Sequence, residues 1–327
     1  MRQRALGHGG PLVSAIGLGC LSFGGIFGDT TDDASLRCLD AAWEHGITFF
    51  DTANIYGMGR SETVLGQWLA SRGRPAVIAT KASIVGGANR RIDNSESHLR
   101  AELEGSLRRL GTDHVALFYI HRHDQNIPIE AVAGTLSRLI EEGKIGGSGL
   151  SEISPGTLRR AHAVHPCRAV QNEYSLWTRQ PELGLIQACA ELGTAFVPFS
   201  PLARGALGRD IIAPETLAAT EFRRQIPRFQ GVDWPLNRAK IEAFRAYAHD
   251  RAIAPPALAI AWVLDQGPHL LPIPGTRTAE HLADWATASQ ISLTAEDRSE
   301  IARILPVGWA YGDRYNDEQA ATVERYC

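Results

Sequence analysis

Short apolar runs alternate along the chain with longer segments that have the periodicity of helices. The apolar runs are rich in β-branched residues and lack a polar face, which is typical of buried parallel strands. The intervening segments carry apolar residues three or four positions apart, as one face of an amphipathic helix does. The pattern predicts eight strands, at residues 14–19, 47–53, 76–81, 115–121, 145–151, 168–174, 194–200 and 270–276.

Eight strands, each followed by a helix, predict a (β/α)8 or TIM barrel of the α/β class. Three of the predicted helices end at Gly46, Gly111 and Gly143, because glycine readily takes the left-handed conformation that follows a helix. A doubly wound sheet would also fit the alternation. The strand count and the lack of a linker-like gap favour a single barrel domain over residues 1–327.

Two parts of the chain lie outside the regular alternation. Residues 4–14 predict a small N-terminal β-hairpin that caps one end of the barrel. Residues 199–270 predict a polar loop followed by two extra helices near the C-terminus, around 235–248 and 255–267. A long loop at the C-terminal face of a barrel usually serves binding rather than packing.

Composition narrows the class of protein. The chain has 327 residues with 33 basic and 36 acidic side chains, and its net charge of −3 gives no reason to expect a nucleic acid or a membrane as a partner. A hydrophobic content of 44% excludes a disordered chain, and no apolar stretch resembles a signal peptide or a membrane span. The five cysteines form no CxxC pair, which predicts a reducing, cytoplasmic location.

Ionisable residues occur at the ends of three consecutive predicted strands. Asp51 ends the second strand and Tyr56 lies in its loop, Lys81 ends the third strand, and His121 ends the fourth. Because neighbouring strands of a barrel open into one active site, we expect these side chains to converge. A buried Lys81–Asp51 pair would lower the pKa of Tyr56 and suit it to general acid catalysis, and a neutral His121 would orient a carbonyl oxygen.

The residues themselves leave other interpretations open. Each of the four could be a structural group, and Lys81 and Asp51 could form a packed ion pair. Lys81 could instead be the Schiff-base nucleophile of an aldolase on the same barrel. A metal at residues 121–124 would need further Cys, His or Glu ligands, and none lies nearby in the sequence, so no metal is expected.

Long ordered motifs around these residues resemble those of the aldo-keto reductases. They are FFDTANIYGMGRSETVLGQWL at 49–69, GSLRRLGTDHVALFYIHRHD at 105–124 and PIPGTRTAEHL at 272–282. The segments 143–164 and 169–179 are most similar to bacterial and plant members of the branch related to the potassium-channel β subunit. The resemblance runs through nearly the whole chain.

The resemblance implies an NAD(P)H-dependent oxidoreductase that reduces aldehydes or ketones to alcohols, or runs the reverse reaction. It implies that Tyr56 is the general acid/base, that Lys81 and Asp51 tune it, and that His121 positions the carbonyl group of a small substrate. The same branch includes cofactor-binding regulatory partners, so a regulatory subunit with little turnover is the alternative. An oligomer is possible.

The resemblance also implies a nicotinamide cofactor bound without the dinucleotide-binding glycine fingerprint, since Ser22 stands where the third glycine would be. By similarity, Ser151 and Gln171 would bind the carboxamide and Phe199 would stack on the nicotinamide. The implied cofactor-binding residues are Gly19, Cys20, Leu21, Ser151, Gln171, Phe199, Ser200, Leu202, Arg204, Gly205, Gly275, Thr276, Arg277, His281 and Trp285.

The last motif bears on the choice between the two nicotinamide cofactors. Arg277 offers the fork geometry that binds a 2′-phosphate, which favours NADP(H). His281 and Trp285 replace residues that are usual in NADPH-preferring members, so NAD(H) stays possible.

Substrate specificity is weakly encoded in the sequence. Phe23 and Trp177 are expected to line an apolar pocket, and Arg122, next to His121, is expected to contact a polar substrate. Further apolar candidates in predicted loops and near the C-terminus are Ile26, Trp234, Trp309 and Tyr311.

Overall fold

The computed structural model describes residues 1–73, 75–87 and 90–326. The strands within these residues are β1 (Gln3–Ala5), β2 (Leu12–Ser14), β3 (Leu18–Gly19), β4 (Phe49–Asp51), β5 (Val77–Ala82), β6 (Ile84–Val85), β7 (Arg91–Ile92), β8 (Leu117–Ile120), β9 (Ser148–Ser151), β10 (Ala169–Gln171) and β11 (Ala195–Phe196). The helices are α1 (Asp32–Glu44), α2 (Arg60–Arg72), α3 (Glu96–Leu110), α4 (Ile129–Glu141), α5 (Pro155–Val164), α6 (Leu185–Leu192), α7 (Asp233–Asp250), α8 (Pro255–Asp265), α9 (Ala279–Ala283), α10 (Ala295–Ile304) and α11 (Asp317–Ala320).

Seven strands form one curled parallel sheet in the spatial order β11, β10, β9, β8, β5, β4, β3. Residues 270–275 lie between the two edge strands of this sheet. Leu270 bridges to Phe196 in β11, and Gly275 bridges to Gly19 in β3. These bridges close the sheet, so the predicted (β/α)8 barrel is confirmed.

The eighth segment of the barrel is less regular than the sequence pattern predicts. It pairs through isolated bridges rather than a continuous ladder, because Pro272 and Pro274 have no backbone N–H to donate. The carbonyl oxygens of these prolines still accept hydrogen bonds from Gly17 N at 2.9 Å and Gly19 N at 3.0 Å. The junction between β3 and residues 270–275, the proline-containing seam of the barrel, therefore has two fewer backbone hydrogen-bond donors than a regular strand would supply.

The barrel interior and the layer between the sheet and the helices are separate apolar cores. Phe49 and Phe50 are adjacent in β4 and both fully buried, but they belong to different cores. In β8, Leu117 and Tyr119 point into the barrel while Phe118 packs towards the helices. This is the alternation expected of strands that are covered on both faces.

The predicted N-terminal hairpin is confirmed, since β1 and β2 pair antiparallel. It covers the end of the barrel at which the strands begin. Leu6 in its turn is fully buried in the interior core, and His8 N donates to the carbonyl oxygen of Gly193, just before β11, at 2.7 Å. The C-terminal ends of the strands are left for the functional site.

The predicted helix ends at Gly46, Gly111 and Gly143 are confirmed, because each glycine has a positive φ at or just beyond the end of α1, α3 or α4. The two extra helices expected after the long loop are α7 and α8. Across the described residues, no helix combines the length and apolar character needed to cross a membrane.

Gly149 in β9 packs closely against the ring of Tyr119 inside the barrel. A Cβ on Gly149 in β9 would lie 2.2 Å from the ring of Tyr119, which is fully buried and cannot move without displacing the interior core. We expect Gly149→Ala to lower the free energy of unfolding by about 2–3 kcal/mol, measured by urea denaturation.

Gly134→Ala in α4 is the matched control. A Cβ at Gly134 would meet nothing closer than Arg138 Nη1 at 3.7 Å, so this variant should gain about 0.5–1 kcal/mol of helix stability. Equal stability of the two variants would contradict the packing of Tyr119 against β9.

Candidate active site

A cavity of about 800 Å³ opens at the C-terminal ends of the barrel strands. This volume is typical of sites that bind small molecules and cofactors, and the position is the one at which barrels build active sites. Its lining includes these predicted site residues: Gly19, Leu21, Asp51, Tyr56, His121, Arg122, Ser151, Gln171, Phe199, Ser200, Leu202, Arg204, Gly205, Gly275, Thr276, Arg277, His281 and Trp285.

The four predicted catalytic residues converge at the base of this cavity. Lys81 is fully buried, and its Nζ donates to the Asp51 carboxylate, to the carbonyl oxygen of Thr52 at 2.8 Å and to Tyr56 Oη at 3.2 Å. The ring of His121 meets the ring of Tyr56 edge to face, with 5.7 Å between centroids. β4, β5 and β8, which carry or lead into these residues, are neighbours in the sheet, as the sequence pattern predicts.

The predicted lowering of the Tyr56 pKa is wrong for this structure. Burial raises the pKa of the phenol above its ordinary value, because the phenolate would lose its hydration. Lys81 acts in the opposite direction but does not outweigh burial, and Asp51 adds to the upward shift. Tyr56 is therefore held in its protonated form.

The partners of Lys81 keep its side chain positively charged. Burial alone would lower the pKa of its ammonium, but Asp51 and Tyr56 outweigh burial and raise that pKa. The second oxygen of Asp51 accepts a hydrogen bond from Gln171 Nε2 at 2.8 Å. A lysine that is charged and fully enclosed thus lies directly below the Tyr56 hydroxyl.

His121 is neutral in this environment. Burial lowers its pKa well below the ordinary value, and the positive charges of Arg122 and Lys81 act in the same direction. Within the described part of the chain, its Nδ1 atom is buried and has no hydrogen-bond partner. A neutral imidazole can donate one hydrogen bond and accept another, which suits the predicted role of His121.

A second buried group of charges supports the wall of the cavity. Glu173 accepts hydrogen bonds from Arg204 at 2.7 Å and from Arg314 at 3.3 Å, and Arg314 also pairs with Glu152. Burial opposes ionisation of Glu173, but Arg204, Arg314 and Arg228 outweigh it and lower its pKa to about 2. This network fastens the C-terminal segment of the chain to the barrel.

Comparisons with known proteins match this geometry to a family. The model of the Aldo/keto reductase family matches residues 15–306. A protein of Glycine max described as probable aldo-keto reductase 1 is 39% identical over 314 residues, which cover 95% of this chain and 90% of that protein. The chain belongs to the aldo/keto reductase family. Members of this family are oxidoreductases that reduce carbonyl groups with a nicotinamide cofactor.

Solved aldo-keto reductase structures share the fold. A glycerol dehydrogenase from Gluconobacter oxydans superimposes with a TM-score of 0.83 at 30% identity, covering 90% of this chain and 92% of that one. The holo form of an aldo-keto reductase from Bacillus halodurans gives a TM-score of 0.77 at 25% identity, covering 97% of this chain and all of that one. The predicted family and fold class are both confirmed.

The residues expected around the nicotinamide ring of an aldo-keto reductase lie together beside Tyr56. Ser151 and Gln171 end the adjacent strands β9 and β10, are directly paired in register, and line the cavity. Phe199 follows β11 and presents a ring on the same side. Two polar side chains next to an aromatic face fit a planar ring that carries a carboxamide.

The far side of the cavity fits phosphate groups. Ser200, Ala203 and Arg204 have left-handed backbone conformations, with φ of 49°, 52° and 56°, which cost energy in non-glycine residues and concentrate at functional sites. Among the described residues, Arg204 Nη1 is a buried donor with no partner. Arg277 reaches the carbonyl oxygen of Asp29 at 3.1 Å and borders the cavity. A nicotinamide dinucleotide therefore fits the groups on both sides.

Four predicted site residues lie outside the cavity lining, namely Lys81, which is enclosed below Tyr56, and Cys20, Phe23 and Trp177. Cys20 and Phe23 are fully buried in the core between the sheet and the helices. Trp177 packs against Phe229 at 5.4 Å and Trp309 at 5.6 Å, measured between ring centroids. Trp177 therefore packs against other aromatic rings rather than facing the cavity.

Other cavity residues were missing from the sequence-based set. Arg90 follows the β6 turn, and Tyr315, Gln319 and Thr322 belong to the C-terminal segment that returns over the barrel. The position of Arg90 after the third strand of the pattern was a usable signal. The C-terminal residues follow no strand, so nothing in the sequence places them. Ile26, a weaker candidate, does line the cavity.

His121 and His123 were the candidate metal ligands in the sequence, and in the structure they contact other protein groups. In the described ranges 1–73, 75–87 and 90–326, no three His, Cys, Asp or Glu side chains are grouped to hold a metal ion. His123 Nδ1 pairs with Glu324 Oε1 at 2.7 Å, and its Nε2 lies 3.0 Å from the carbonyl oxygen of Ile127. His123 therefore anchors the C-terminal segment.

The Glu173 network predicts a pH-dependent stability. The folded pKa of about 2 lies below the ordinary value of 4.5, so the stabilisation is complete above pH 4.5 and is lost as the pH falls towards 2. We expect Glu173→Gln to lower the free energy of unfolding at pH 7 by about 3 kcal/mol, because Arg204 and Arg314 lose a buried partner.

Urea denaturation at a series of pH values measures this effect. The difference between wild type and Glu173→Gln should shrink as the pH falls below 4.5. Glu96→Gln, which removes an exposed carboxylate bound to Arg100 and Arg138, is the control and should change stability little. A difference that is independent of pH would contradict the assigned ionisation.

Proposed function

We propose that this aldo-keto reductase reduces an aldehyde or a ketone to an alcohol, with Tyr56 as the proton donor and NADPH as the preferred hydride source. The observation that carries the proposal is the position of Lys81, whose Nζ contacts both the Asp51 carboxylate and the Tyr56 hydroxyl below the cavity. His121, the fourth predicted catalytic residue, lies beside the ring of Tyr56 at the same cavity.

Tyr56 supplies the proton in this scheme. The bound nicotinamide cofactor supplies the hydride for the carbonyl carbon. As the carbonyl oxygen gains electrons, the Tyr56 O–H bond breaks and the proton bonds to that oxygen, giving the alcohol. The raised pKa keeps Tyr56 protonated at neutral pH, which suits a donor. The Lys81 ammonium, 3.2 Å from Oη, stabilises the phenolate that remains until it is reprotonated.

His121 orients the carbonyl group. Its neutral ring can donate a hydrogen bond to the same oxygen that receives the Tyr56 proton. Two donors aimed at one oxygen fix the direction of the carbonyl and favour the charge that develops on it. His121 is therefore proposed as the group that positions the substrate beside Tyr56.

The aldolase alternative asks Lys81 to act as a free amine. Asp51 and Tyr56 raise the pKa of Lys81, and its ammonium already donates to Asp51, the Thr52 carbonyl and Tyr56. A Schiff base requires the deprotonated amine, so this environment favours the tuning role over the nucleophilic one. The alternative of a regulatory subunit with little turnover is tested by measuring whether the protein reduces any carbonyl compound at an appreciable rate.

The preference for NADPH rests on Arg277, whose guanidinium borders the phosphate side of the cavity. Exposed His281 lies at the same end and can add a donor, whereas Trp285 is 1% exposed and contributes mainly apolar surface. A cytoplasmic location is also proposed, and it is supported by Cys20, Cys38, Cys167 and Cys189, which are buried free thiols.

The proton-donor role predicts the behaviour of Tyr56→Phe. Removing the hydroxyl removes the proton source but leaves the cofactor contacts in place. We expect kcat for NADPH oxidation with 4-nitrobenzaldehyde to fall by about 100-fold or more, while NADPH affinity, measured by fluorescence titration, stays within about twofold. Tyr311→Phe, at an exposed tyrosine outside the cavity lining, is the matched control. Loss of cofactor affinity together with turnover would refute this role.

The cofactor preference predicts the behaviour of Arg277→Gln. Losing a charge-assisted contact to a 2′-phosphate should lower kcat/KM for NADPH by about 10-fold or more and leave kcat/KM for NADH little changed. Steady-state kinetics with both cofactors measure the ratio, and Arg303→Gln, at an exposed arginine paired with Glu300, is the control. An equal loss with both cofactors would count against recognition of the 2′-phosphate.

A further inference from the structure

Arg122 is a half-buried guanidinium beside the predicted catalytic residues. It follows His121 directly, and its Nη1 donates to the carbonyl oxygen of His121 at 2.6 Å and lies 3.5 Å from Ser151 Oγ. Its Nη2 lies 3.3 Å from Tyr315 Oη. All three contacts are with neutral oxygens, so none of them neutralises the charge of Arg122.

Among the described residues, none supplies a counter-ion for this charge. Across residues 1–73, 75–87 and 90–326, no carboxylate lies within 4 Å of Arg122 or of Arg90, which is exposed and lines the same part of the cavity. The neighbouring buried arginines differ, since Arg204 pairs with Glu173 and Arg314 pairs with both Glu173 and Glu152. Arg122 differs from these two arginines because the partners of its hydrogen bonds are neutral oxygens, so its charge is available to an anionic ligand in the cavity.

Both arginines stand close to the reacting groups. The charges of Arg122 and Arg90 both act on His121, and the charge of Arg122 also acts on Tyr56. Ser151, which Arg122 approaches, belongs to the proposed nicotinamide side of the cavity, whereas Arg277 borders the phosphate side. The cofactor phosphates therefore have their own partners, and an anion beside Arg122 belongs to the substrate.

A guanidinium has five N–H donors in a planar fork, and the contacts of Arg122 use some of them. The remaining donors suit a carboxylate or a phosphate, which guanidinium groups bind in a two-pronged geometry. We propose that Arg122, assisted by Arg90 at the mouth of the cavity, binds a negatively charged group on the substrate, a carboxylate or phosphate held a few bonds from the reacting carbonyl. This inference rests on the proposed reductase function and adds the class of substrate.

Matched substrates test the inference. With NADPH, kcat/KM is measured for 4-carboxybenzaldehyde and for its neutral counterpart 4-formylbenzamide, and also for glyceraldehyde 3-phosphate and glyceraldehyde. Wild type should prefer the charged member of at least one pair, and the pair that shows the preference identifies carboxylate or phosphate as the recognised group. Arg122→Gln should reduce that preference by about 10-fold or more, mainly through KM, and Arg122→Lys should retain part of it.

The ratio of kcat/KM between the charged and the neutral member of a substrate pair separates recognition of the negative group from a general effect on turnover. If Arg122 acted merely on the packing or on the charge states of Tyr56 and His121, its loss would lower turnover of both members equally and leave the ratio unchanged. Arg298→Gln, at an exposed arginine that pairs with Asp265 outside the cavity lining, is the control and should keep the wild-type ratio. An unchanged ratio in Arg122→Gln, with turnover of the neutral aldehydes intact in wild type, would overturn the inference while leaving the reductase function standing.

Calorimetry gives a readout that does not depend on turnover. Binding of 4-carboxybenzaldehyde and glyceraldehyde 3-phosphate to the complex with NADP⁺ is compared in wild type and Arg122→Gln. Weaker binding of a charged aldehyde to the variant, without a similar change for its neutral counterpart, would support the inference even if wild type failed to turn over any aldehyde. Equal binding by both proteins would reject it.

Discussion

The buried ion pair between Lys81 and Asp51 is the interaction on which the rest of the site depends. Enclosing either charge alone would cost several kcal/mol, so each must find its partners inside the protein. Lys81 has the Asp51 carboxylate, the Thr52 carbonyl and the Tyr56 hydroxyl, and Asp51 has a further donor in Gln171. Asp51, Thr52 and Tyr56 belong to β4 and the segment after it, whereas Lys81 lies in β5 and Gln171 in β10, so the full set of contacts forms only when these three strands come together. Folding and the proposed proton transfer thus depend on the same contacts.

Much of the fold was predictable because its signals are local. Apolar runs such as the one around Phe49 identify buried strands, and Gly111 marks the end of α3 through its left-handed backbone. The irregular last segment was less predictable, although Pro272 and Pro274 carry the reason in the sequence. The role of Trp177 was not predictable, because an aromatic residue in a loop can face a cavity or pack beneath the loop, and tertiary contacts decide between the two.

The candidate site likewise combines features that the sequence predicts with features that only the tertiary structure determines. Asp51, Lys81 and His121 end strands that follow one another, so the topology alone brings them together. The direction of the Tyr56 pKa shift depends on how completely burial removes water, which a sequence does not express. Tyr315 reaches the cavity because the C-terminal segment folds back across the barrel. That path is held by buried charges such as Glu173 rather than by a periodic pattern.

The proline-containing seam has a consequence for the motions of the barrel. With two donors missing, this junction has fewer hydrogen bonds to resist local opening than a regular pair of strands would have. Gly19 lies on one side of the seam and Gly275 on the other, and both border the cavity. A dinucleotide that touches both edges would act as a clasp across the first and last strands, because ligand binding favours the closed form by mass action. Local opening at this junction would then depend on how much of the enzyme carries cofactor.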